Sequence, residues 1–261
     1  MSTAVILDGM RLDKYLSENG FSSRNKAARA IEKGLVLLNG KRARAADTVK
    51  ENDSVTVLKE HESYVSEGGY KLAKALREFG VSVAEKVYAD FGASTGGFTD
   101  VLLQNGVSLV FAIDVGESQL APSIACDNRV RVYDNTNARN LTRDFFSVPL
   151  DGVVCDVSFI SLTCILPAIA AVLKDDGEAF VLIKPQFECG VKALDKHGIV
   201  KDGKQRREAV EKIYQSALEC GLAPQNICVA PLRERKNIEF IIYLKKGIEP
   251  VAKQQILNIK N

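Results

Sequence analysis

Short apolar segments alternate with longer amphipathic segments over most of the chain, and this alternation constrains the fold more than any other feature. The strand-like segments are rich in valine and isoleucine: KVYADFG, SLVFAIDVG, VRVYDN, DGVVCDVSF, EAFVLIKPQFE, CVAPLRER and IEFIIYLKKG. The helix-like segments are KLAKALREFG, GGFTDVLLQNG, SLTCILPAIAAVLKDDG and QRREAVEKIYQSALECG. Because strands that alternate with helices pair in parallel under helical layers, the sequence predicts an α/β fold, a Rossmann-like parallel sheet with helices on both faces.

The N-terminal part lacks that alternation and predicts a second, smaller domain. MRLDKYLSENG and SSRNKAARAIEKG have helical character, and each ends at a glycine, Gly20 or Gly34. LVLLNGKRA contains the pair Asn39-Gly40, which favours a two-residue hairpin turn, and DSVTVL alternates as a strand does. We therefore expect a small α+β domain at 10–60, a linker at 61–67, the α/β domain at 68–246 and a C-terminal tail at 247–261.

Positive charge is concentrated in this smaller domain. The whole chain has a net charge of +2, whereas residues 24–44 carry seven basic side chains and one acidic one. A single lysine or arginine suits a solvated helix face, but a cluster without compensating acids favours binding to the phosphates of a nucleic acid. The candidate contacts are Arg11, Arg24, Lys26, Arg29, Lys41, Arg42 and Arg44.

The composition disfavours several other classes of protein and site. The longest apolar run, CILPAIAAVL, is shorter than the roughly 20 residues of a membrane-spanning helix, and the first residues lack the basic segment of a secretory signal. The six cysteines form no Cys-x-x-Cys pair and two histidines are present, so no metal site is predicted. We expect a cytoplasmic monomer that does not bind membranes, with reduced and buried thiols.

ADFGASTGGFTD at 89–100 is a glycine-rich loop directly after the first strand of the α/β domain, where ligands of such sheets bind. Gly92 and Gly97 have the spacing of a phosphate-binding loop, but Phe98 stands at the position of its lysine. Ser94 stands where a dinucleotide-binding loop requires glycine. The loop therefore favours a different nucleoside ligand, with a purely structural turn as the alternative.

Acidic residues lie at or after the ends of four predicted strands. An acid after the second strand suits the hydroxyls of a ribose, and acids without a phosphate-binding lysine favour a nucleoside that carries positive charge. S-adenosylmethionine has these properties, so the sheet is predicted to be that of an S-adenosylmethionine-dependent methyltransferase. The candidate cofactor contacts are Asp90, Gly92, Ala93, Ser94, Thr95, Gly96, Gly97, Phe98, Asp114, Asp134 and Asp156.

The residues after the fourth strand limit which kind of atom can accept the methyl group. DVSF at 156–159 lacks the prolines typical of enzymes that methylate base amines, and no Pro-Cys pair supports a cysteine nucleophile. An oxygen acceptor remains. A ribose hydroxyl is a weak acid and needs a base or a strongly oriented hydrogen bond, for which Lys184 and Lys71 are candidates. Glu239 stands between apolar neighbours near the start of a late strand. Each of these three side chains alone also suits a solvent-facing position, but together with Asp156 they form a coherent site.

The motifs of the chain together resemble the TlyA family. MRLDKYLSENGFSSRNKAARAIEKGLVLLNG resembles the small RNA-binding module first seen in a ribosomal small-subunit protein. GGYKLAKAL, ADFGASTGGFTD, CDVSFISL, IKPQFE and KNIEF resemble, in this order, the FtsJ-like methyltransferase body of the family. The resemblance covers roughly residues 10–245. Glu67 departs from the pattern, because a basic residue is expected before the Gly-Gly pair.

This resemblance implies a reaction and a set of site residues. It implies 2′-O-methylation of cytidine in ribosomal RNA with S-adenosylmethionine as the methyl donor, and ribosomal RNA or ribosomal subunits as partners. It also implies a catalytic tetrad of Lys71, Asp156, Lys184 and Glu239. Two other functions stay open on the sequence: a haemolysin, as members of the family have been labelled, and a non-catalytic RNA-binding assembly factor.

Overall fold

The computed structural model describes residues 9–21, 23–32, 36–57, 64–231 and 236–259. Contacts between residues divide the chain into two compact units, Met1–Ser63 and Tyr64–Asn261. The division falls inside the segment 61–67, and the first helix of the second unit begins at Glu67.

The first unit contains short helices and short antiparallel strands. Its described elements are β1 (Met10–Arg11), α1 (Leu12–Glu18), α2 (Arg24–Glu32), β2 (Val36–Leu38), β3 (Lys41–Arg42), β4 (Thr48–Val49) and β5 (Val55–Val57). β3, β2 and β5 form one sheet in that order, and β1 pairs with β4. The apolar faces of both helices share a core with the strands, in which Leu12, Leu16, Ile31, Val36 and Val49 are almost fully buried.

The predicted hairpin of this unit is confirmed. Leu38 pairs with Lys41, so Asn39 and Gly40 alone form the turn. Their φ angles are 53° and 75°, and two positive φ angles are what a type I′ turn requires. The Asn-Gly pair therefore sets the register of β2 against β3.

The second unit is built around a single large sheet. Its described helices and strands are α3 (Glu67–Phe79), β6 (Val87–Phe91), α4 (Gly97–Gln104), β7 (Leu109–Ile113), α5 (Pro122–Ala125), β8 (Val130–Tyr133), β9 (Leu150–Cys155), α6 (Leu166–Val172), β10 (Leu173–Ile183), α7 (Pro185–Glu188), α8 (Gly203–Glu219), β11 (Leu222–Val229), β12 (Phe240–Lys246) and α9 (Lys253–Leu257). The seven strands have the order β11-β12-β10-β9-β6-β7-β8.

Helices cover both faces of this sheet, which confirms the predicted α/β class. One face packs on α3, α4 and α5 through residues such as Leu72 and Val101. The other packs on α6, α8 and α9 through residues such as Ile169 and Ile213. Because successive side chains of a strand point to opposite faces, neighbours such as Tyr88 and Ala89 belong to different cores.

One strand departs from the predicted parallel pairing. β12 runs antiparallel to both β10 and β11. Only residues 230–239 connect β11 to β12, and a parallel pair needs a crossover connection of a dozen or more residues. The short connection therefore forces the antiparallel pairing.

Three predicted segments end earlier than their apolar patterns indicated. The helix expected in SLTCILPAIAAVLKDDG ends at Val172, and β10 begins at the next residue. The strand expected in EAFVLIKPQFE ends at Ile183, and PQFE forms α7, because Pro185 suits the first turn of a helix and cannot donate to a sheet. In CVAPLRER only Cys228 and Val229 belong to β11, while residues 232–235 lie outside the described residues.

The C-terminal segment and the cysteines complete the fold. α9 buries Ile256 and Leu257 against α8 and β11, so its apolar side chains are part of the core. All six cysteines are unpaired, but Cys126 and Cys164 are exposed, and Cys189 and Cys220 are half-buried. The expectation of buried thiols therefore holds only for Cys155 and Cys228. Within the described residues, no helix is long and apolar enough to cross a membrane.

Candidate active site

The candidate site lies at the carboxyl ends of four central strands. β6 pairs in parallel with β7 and β9, and β9 pairs in parallel with β10. The residues that follow these strands, Gly92, Asp114, Asp156 and Lys184, therefore meet at one edge of the sheet. This is the edge at which open α/β sheets bind ligands.

The glycine-rich loop after β6 has a backbone that few other residues could adopt. Gly92, Ser94 and Gly96 have φ angles of 82°, 46° and 92°, all in the region that favours glycine. A Cβ atom on Gly92 would lie 2.8 Å from the carbonyl oxygen of Asp156. The loop after β6 therefore packs directly on the end of β9, with no space for a side chain.

Beside this loop is a cavity of about 170 Å³, which we name the loop cavity. It is lined by Ser66, Gly68, Gly92, Ala93, Ser94, Thr95, Gly97, Phe98, Asp156, Ser158 and Lys184. Most of the predicted cofactor contacts thus share one cavity. Gly96 does not line it, because a Cβ atom there would face Leu120 and Ile124.

Two of the predicted acids hold backbone amides near the loop. The carboxylate of Asp114 accepts hydrogen bonds from the N–H of Ser94 (2.8 Å) and of Gly116 (2.7 Å). Each carboxylate oxygen accepts more than one hydrogen bond, so Asp114 keeps capacity for a ligand hydroxyl. Asp134 accepts from the N–H of Ser118, and neither Asp114 nor Asp134 lines the loop cavity.

Asp90 lies beneath the loop, inside β6, and is fully buried. One carboxylate oxygen accepts a hydrogen bond of 2.7 Å from the hydroxyl of Thr99, and the other has no partner among the described residues. Burial raises the pKa of this carboxyl to about 7 because a low-dielectric surrounding disfavours its charged form. Asp90 therefore supports the loop from inside the sheet and does not line the cavity.

The four residues of the expected tetrad form one continuous chain of alternating charge. Lys184 Nζ lies 2.5 Å from Asp156 Oδ1, and Lys71 Nζ lies 4.0 Å from Asp156 Oδ2. Lys71 Nζ also donates a 2.7 Å hydrogen bond to Glu239 Oε2. All four side chains are between 11% and 22% exposed, so the charges are partly shielded from water and each has an opposite charge beside it.

Residues that the sequence argument did not single out extend this chain at both ends. Lys184 Nζ donates a 2.8 Å hydrogen bond to Ser158 Oγ, and Gln186 Nε2 donates one of 3.1 Å to Glu239 Oε1. Ser158 and Gln186 stand inside the quoted segments DVSF and IKPQFE. Their place in the motifs is the signal that could have found them.

A wider cavity of about 620 Å³ adjoins the loop cavity, and the two share Ser158 and Lys184. We name it the wide cavity. Its lining residues are Glu67, Lys71, Ser158, Phe159, Lys184, Gln186, Phe187, His197, Ile199, Pro231, Lys236, Asn237 and Glu239. Phe159 is 91% exposed and its ring centroid lies 5.2 Å from that of Phe187. Exposed aromatic faces of this kind can stack on nucleobases.

The predicted RNA contacts of the first unit differ in how they are held. Arg11 and Arg24 both pair with Asp13, and the hydrogen bond from Arg11 is the main cause that lowers the pKa of this carboxyl to about 2. Arg42 donates to the carbonyl of Glu32. Lys26, Lys41 and Arg44 are exposed, whereas the side chain of Arg29 lies outside the described part of the chain.

Comparison with known proteins gives matches over both units. The family model described as FtsJ-like methyltransferase matches residues 64–246, and the S4 domain model matches residues 10–55. The 16S/23S rRNA (cytidine-2′-O)-methyltransferase TlyA of Mycobacterium tuberculosis is 39% identical over 259 residues, which cover 94% of this chain and 97% of that protein.

Solved structures agree with these matches. A structure from Streptococcus thermophilus described as a hemolysin has a TM-score of 0.71 at 35% identity and covers 95% of this chain and 94% of its own. A structure described as an S-adenosylmethionine dependent methyltransferase from Listeria monocytogenes has a TM-score of 0.53 at 14% identity, and covers 70% of this chain and 98% of its own. The second likeness shows the fold alone.

The sheet order with its one antiparallel strand, and the glycine-rich loop beside a lysine–carboxylate chain, define a Rossmann-like methyltransferase. The family model of this class covers the whole second unit as far as the end of β12. The chain belongs to the TlyA family of FtsJ-like methyltransferases, with an S4 domain at residues 10–55. The resemblance seen in the sequence is thereby confirmed.

Proposed function

We propose that this protein is an S-adenosylmethionine-dependent methyltransferase that modifies the 2′-hydroxyl of cytidine in ribosomal RNA. The observation that carries the proposal is the Lys184–Asp156 ion pair, which lies where the loop cavity and the wide cavity meet. The name of the M. tuberculosis relative supports the cytidine 2′-hydroxyl as acceptor. Because the proposed substrate is ribosomal RNA, we place the reaction in the cytoplasm.

The residues of the loop cavity fit S-adenosylmethionine. The backbone of the glycine-rich loop forms one wall of this cavity. Asp114, outside the cavity lining, holds the N–H of Ser94 and retains acceptor capacity suited to ribose hydroxyls. Asp156 contributes a carboxylate to the same cavity. When bound, S-adenosylmethionine supplies a methyl group on a positively charged sulfur.

The protein's own residues orient the acceptor. We assign the target nucleoside to the wide cavity, where Phe159 and Phe187 offer stacking surfaces for its base. In the Lys184–Asp156 pair the ammonium would orient the 2′-hydroxyl, and the carboxylate would take up its proton as the hydroxyl oxygen bonds to the methyl carbon and the methyl–sulfur bond breaks. Glu239 holds Lys71 and Gln186, so Lys71 is fixed as a positive charge for the ribose or its phosphate.

The rival functions are less well supported. The S. thermophilus structure carries a hemolysin name, but nothing in the arrangement of the tetrad serves membrane lysis. A non-catalytic assembly factor would not require four charged side chains to converge between two cavities.

The proposed reaction is tested by methyl transfer from radiolabelled S-adenosylmethionine to purified small and large ribosomal subunits and to the naked RNA of each. We expect label on the 2′-oxygen of cytidine, identified by nuclease digestion and mass spectrometry. Label on a base, or tight binding of S-adenosylmethionine with no transfer to any of these RNAs, would contradict the proposal.

We also propose that the S4 domain holds the RNA through phosphate contacts, and the exposed Lys26 and Lys41 test this. The double variant Lys26→Glu and Lys41→Glu is expected to lower the affinity for ribosomal RNA by about tenfold or more, because it removes two phosphate-neutralising charges. Filter binding at several salt concentrations should give a slope of log K against log [salt] smaller by about two.

The matched control is Lys204→Glu, which reverses an exposed charge at the start of α8 in the second unit. It should leave the salt slope near that of the unmodified protein. An equal loss per reversed charge in the double variant and the control would show that the whole surface, and not the S4 domain, attracts the RNA.

A further inference from the structure

Glu188 is a buried carboxylate at the end of α7, in the motif IKPQFE, and the proposed reaction does not use it. Its side chain is 1% exposed. It accepts hydrogen bonds from the hydroxyl of Ser161 (2.6 Å), the N–H of Leu162 (2.7 Å) and Nζ of Lys212 (3.0 Å). A buried charge is costly unless it is paired and hydrogen-bonded, and this one has three donors.

These hydrogen bonds connect the two segments that carry the candidate site. Ser161 and Leu162 belong to the segment after β9, which begins with Asp156 and contains Ser158 and Phe159. Glu188 ends the segment after β10, which begins with Lys184 and contains Gln186 and Phe187. The carboxylate of Glu188 thus ties the two segments together at the end away from the tetrad.

Lys212 connects the hydrogen-bonded group of Glu188, Ser161 and Leu162 to the body of the domain. It lies in α8, whose other face is part of the core. Its Nζ donates to Glu188 Oε2, to the carbonyl oxygen of Glu188 (3.3 Å) and to Ser161 Oγ (3.2 Å). One ammonium group therefore anchors both segments to a helix of 17 residues.

The backbone between the residues held by Glu188 and the tetrad has an unfavourable conformation at Phe159. Phe159 has a φ angle of 64°, which is unfavourable for a residue other than glycine and persists only where the surroundings impose it. On one side of Phe159, Ser158 is held by Lys184. On the other side, Ser161 and Leu162 are held by Glu188.

We propose that Glu188, anchored by Lys212, is a positioning residue for the RNA substrate. It holds the segments after β9 and β10 at the separation that sets Ser158 beside Lys184 and the ring of Phe159 beside that of Phe187. It acts through these residues and touches neither S-adenosylmethionine nor the reacting atoms. This role rests on the proposed function, since it concerns the acceptor side of the same site.

The test is Glu188→Gln, which keeps the shape and one acceptor but loses the ion pair with Lys212. We expect kcat for RNA to fall by about 10- to 100-fold, because small displacements of reacting groups have effects of that size, while the affinity for S-adenosylmethionine stays the same. Lys212→Arg, which preserves the charge, is expected to keep more activity than Lys212→Met.

The matched control is Glu178→Gln, at the opposite end of the same sheet. Glu178 is also buried and accepts hydrogen bonds from Tyr88, Tyr243 and Lys86. This variant should lose a comparable amount of thermal stability and keep the kcat of the folded enzyme. An equal fall of kcat in both variants, or an unchanged kcat in Glu188→Gln, would overturn the positioning role.

A second readout separates this role from the proposed function. Amide hydrogen exchange in Glu188→Gln is expected to accelerate at residues 157–164 and to stay unchanged in the loop after β6. If the unmodified protein transfers no methyl group to ribosomal RNA, the proposed function fails, and faster exchange would still show that Glu188 holds the segment. Unchanged exchange at 157–164 would show that Glu188 does not hold the segment after β9.

Discussion

Lys184→Ala is expected to lower the rate of methyl transfer to RNA by about 10²- to 10⁴-fold, the usual contribution of a positioned acid or base. Lys184 Nζ lies 2.5 Å from Asp156 and donates to Ser158, so it joins the carboxylate to a residue that lines both cavities. Without it, the proposed 2′-hydroxyl has no group to orient it, and the Asp156 carboxylate loses its nearest countercharge.

The affinity for S-adenosylmethionine should remain close to that of the unmodified protein. The glycine-rich loop and Asp114, which we assign to the cofactor, do not depend on Lys184. Isothermal calorimetry with S-adenosylmethionine and single-turnover transfer to RNA measure the two effects separately.

The control for this variant is Lys74→Ala. Lys74 lies in α3, one turn from Lys71, and Nζ donates to the carbonyl of Val229 outside both cavities. Its removal tests the general effect of deleting a partly buried lysine and should leave turnover nearly unchanged. Wild-type turnover in Lys184→Ala would show that Lys184 does not take part in the reaction.

Gly92→Ala is expected to lower both the free energy of unfolding and the affinity for S-adenosylmethionine. The φ angle of 82° is unfavourable for alanine, and the new methyl group would lie 2.8 Å from the carbonyl oxygen of Asp156. The loop after β6 and the end of β9 must then move apart. We expect a loss of about 1–3 kcal/mol in stability, in line with strained backbone positions, and a loss of cofactor affinity beyond it.

Gly80→Ala separates the backbone effect from the clash. Gly80 ends α3 with a φ angle of 65°, and no atom lies within 4 Å of a Cβ atom built there. This variant carries a similar conformational cost without contact with the site. Urea denaturation and calorimetry should show lower stability in both variants and weaker S-adenosylmethionine binding only in Gly92→Ala; equal binding in the two would show that the loop tolerates displacement.

Local patterns in the sequence were sufficient for much of the fold. The Asn39-Gly40 turn was predictable because two positive φ angles require such residues. The glycine-rich loop was placed correctly after a buried strand because glycine and apolar runs are local signals. The antiparallel β12 was missed because its direction depends on the length of the connection from β11 and not on its own composition.

The candidate site was predictable to a smaller extent. Lys71, Asp156, Lys184 and Glu239 were named as one candidate site, and the resemblance identified them as a catalytic tetrad. The structure shows that Asp156 lies between the two lysines and that Glu239 pairs with Lys71. The contacts of Ser158 and Gln186 were not foreseen.

Two chemically similar acids show where sequence reasoning ends. Asp90 and Asp114 both stand at or beside the end of a strand, yet Asp90 is enclosed in the core and Asp114 binds amides of the loops. In the sequence, Glu188 is an ordinary residue of the motif IKPQFE. Only the hydrogen bonds that it accepts from Ser161, Leu162 and Lys212 show that it connects the segments after β9 and β10.

The sequence by itself determined the α/β class, the basic N-terminal unit, the position of the glycine-rich loop and the family, because these depend on periodicity, turn residues and short motifs. Only the tertiary structure decided which charges pair, which acids are buried and which segments are tied together. Those properties arise between residues far apart in the chain, such as Lys71 and Glu239, and their energies depend on distance and on exclusion of water.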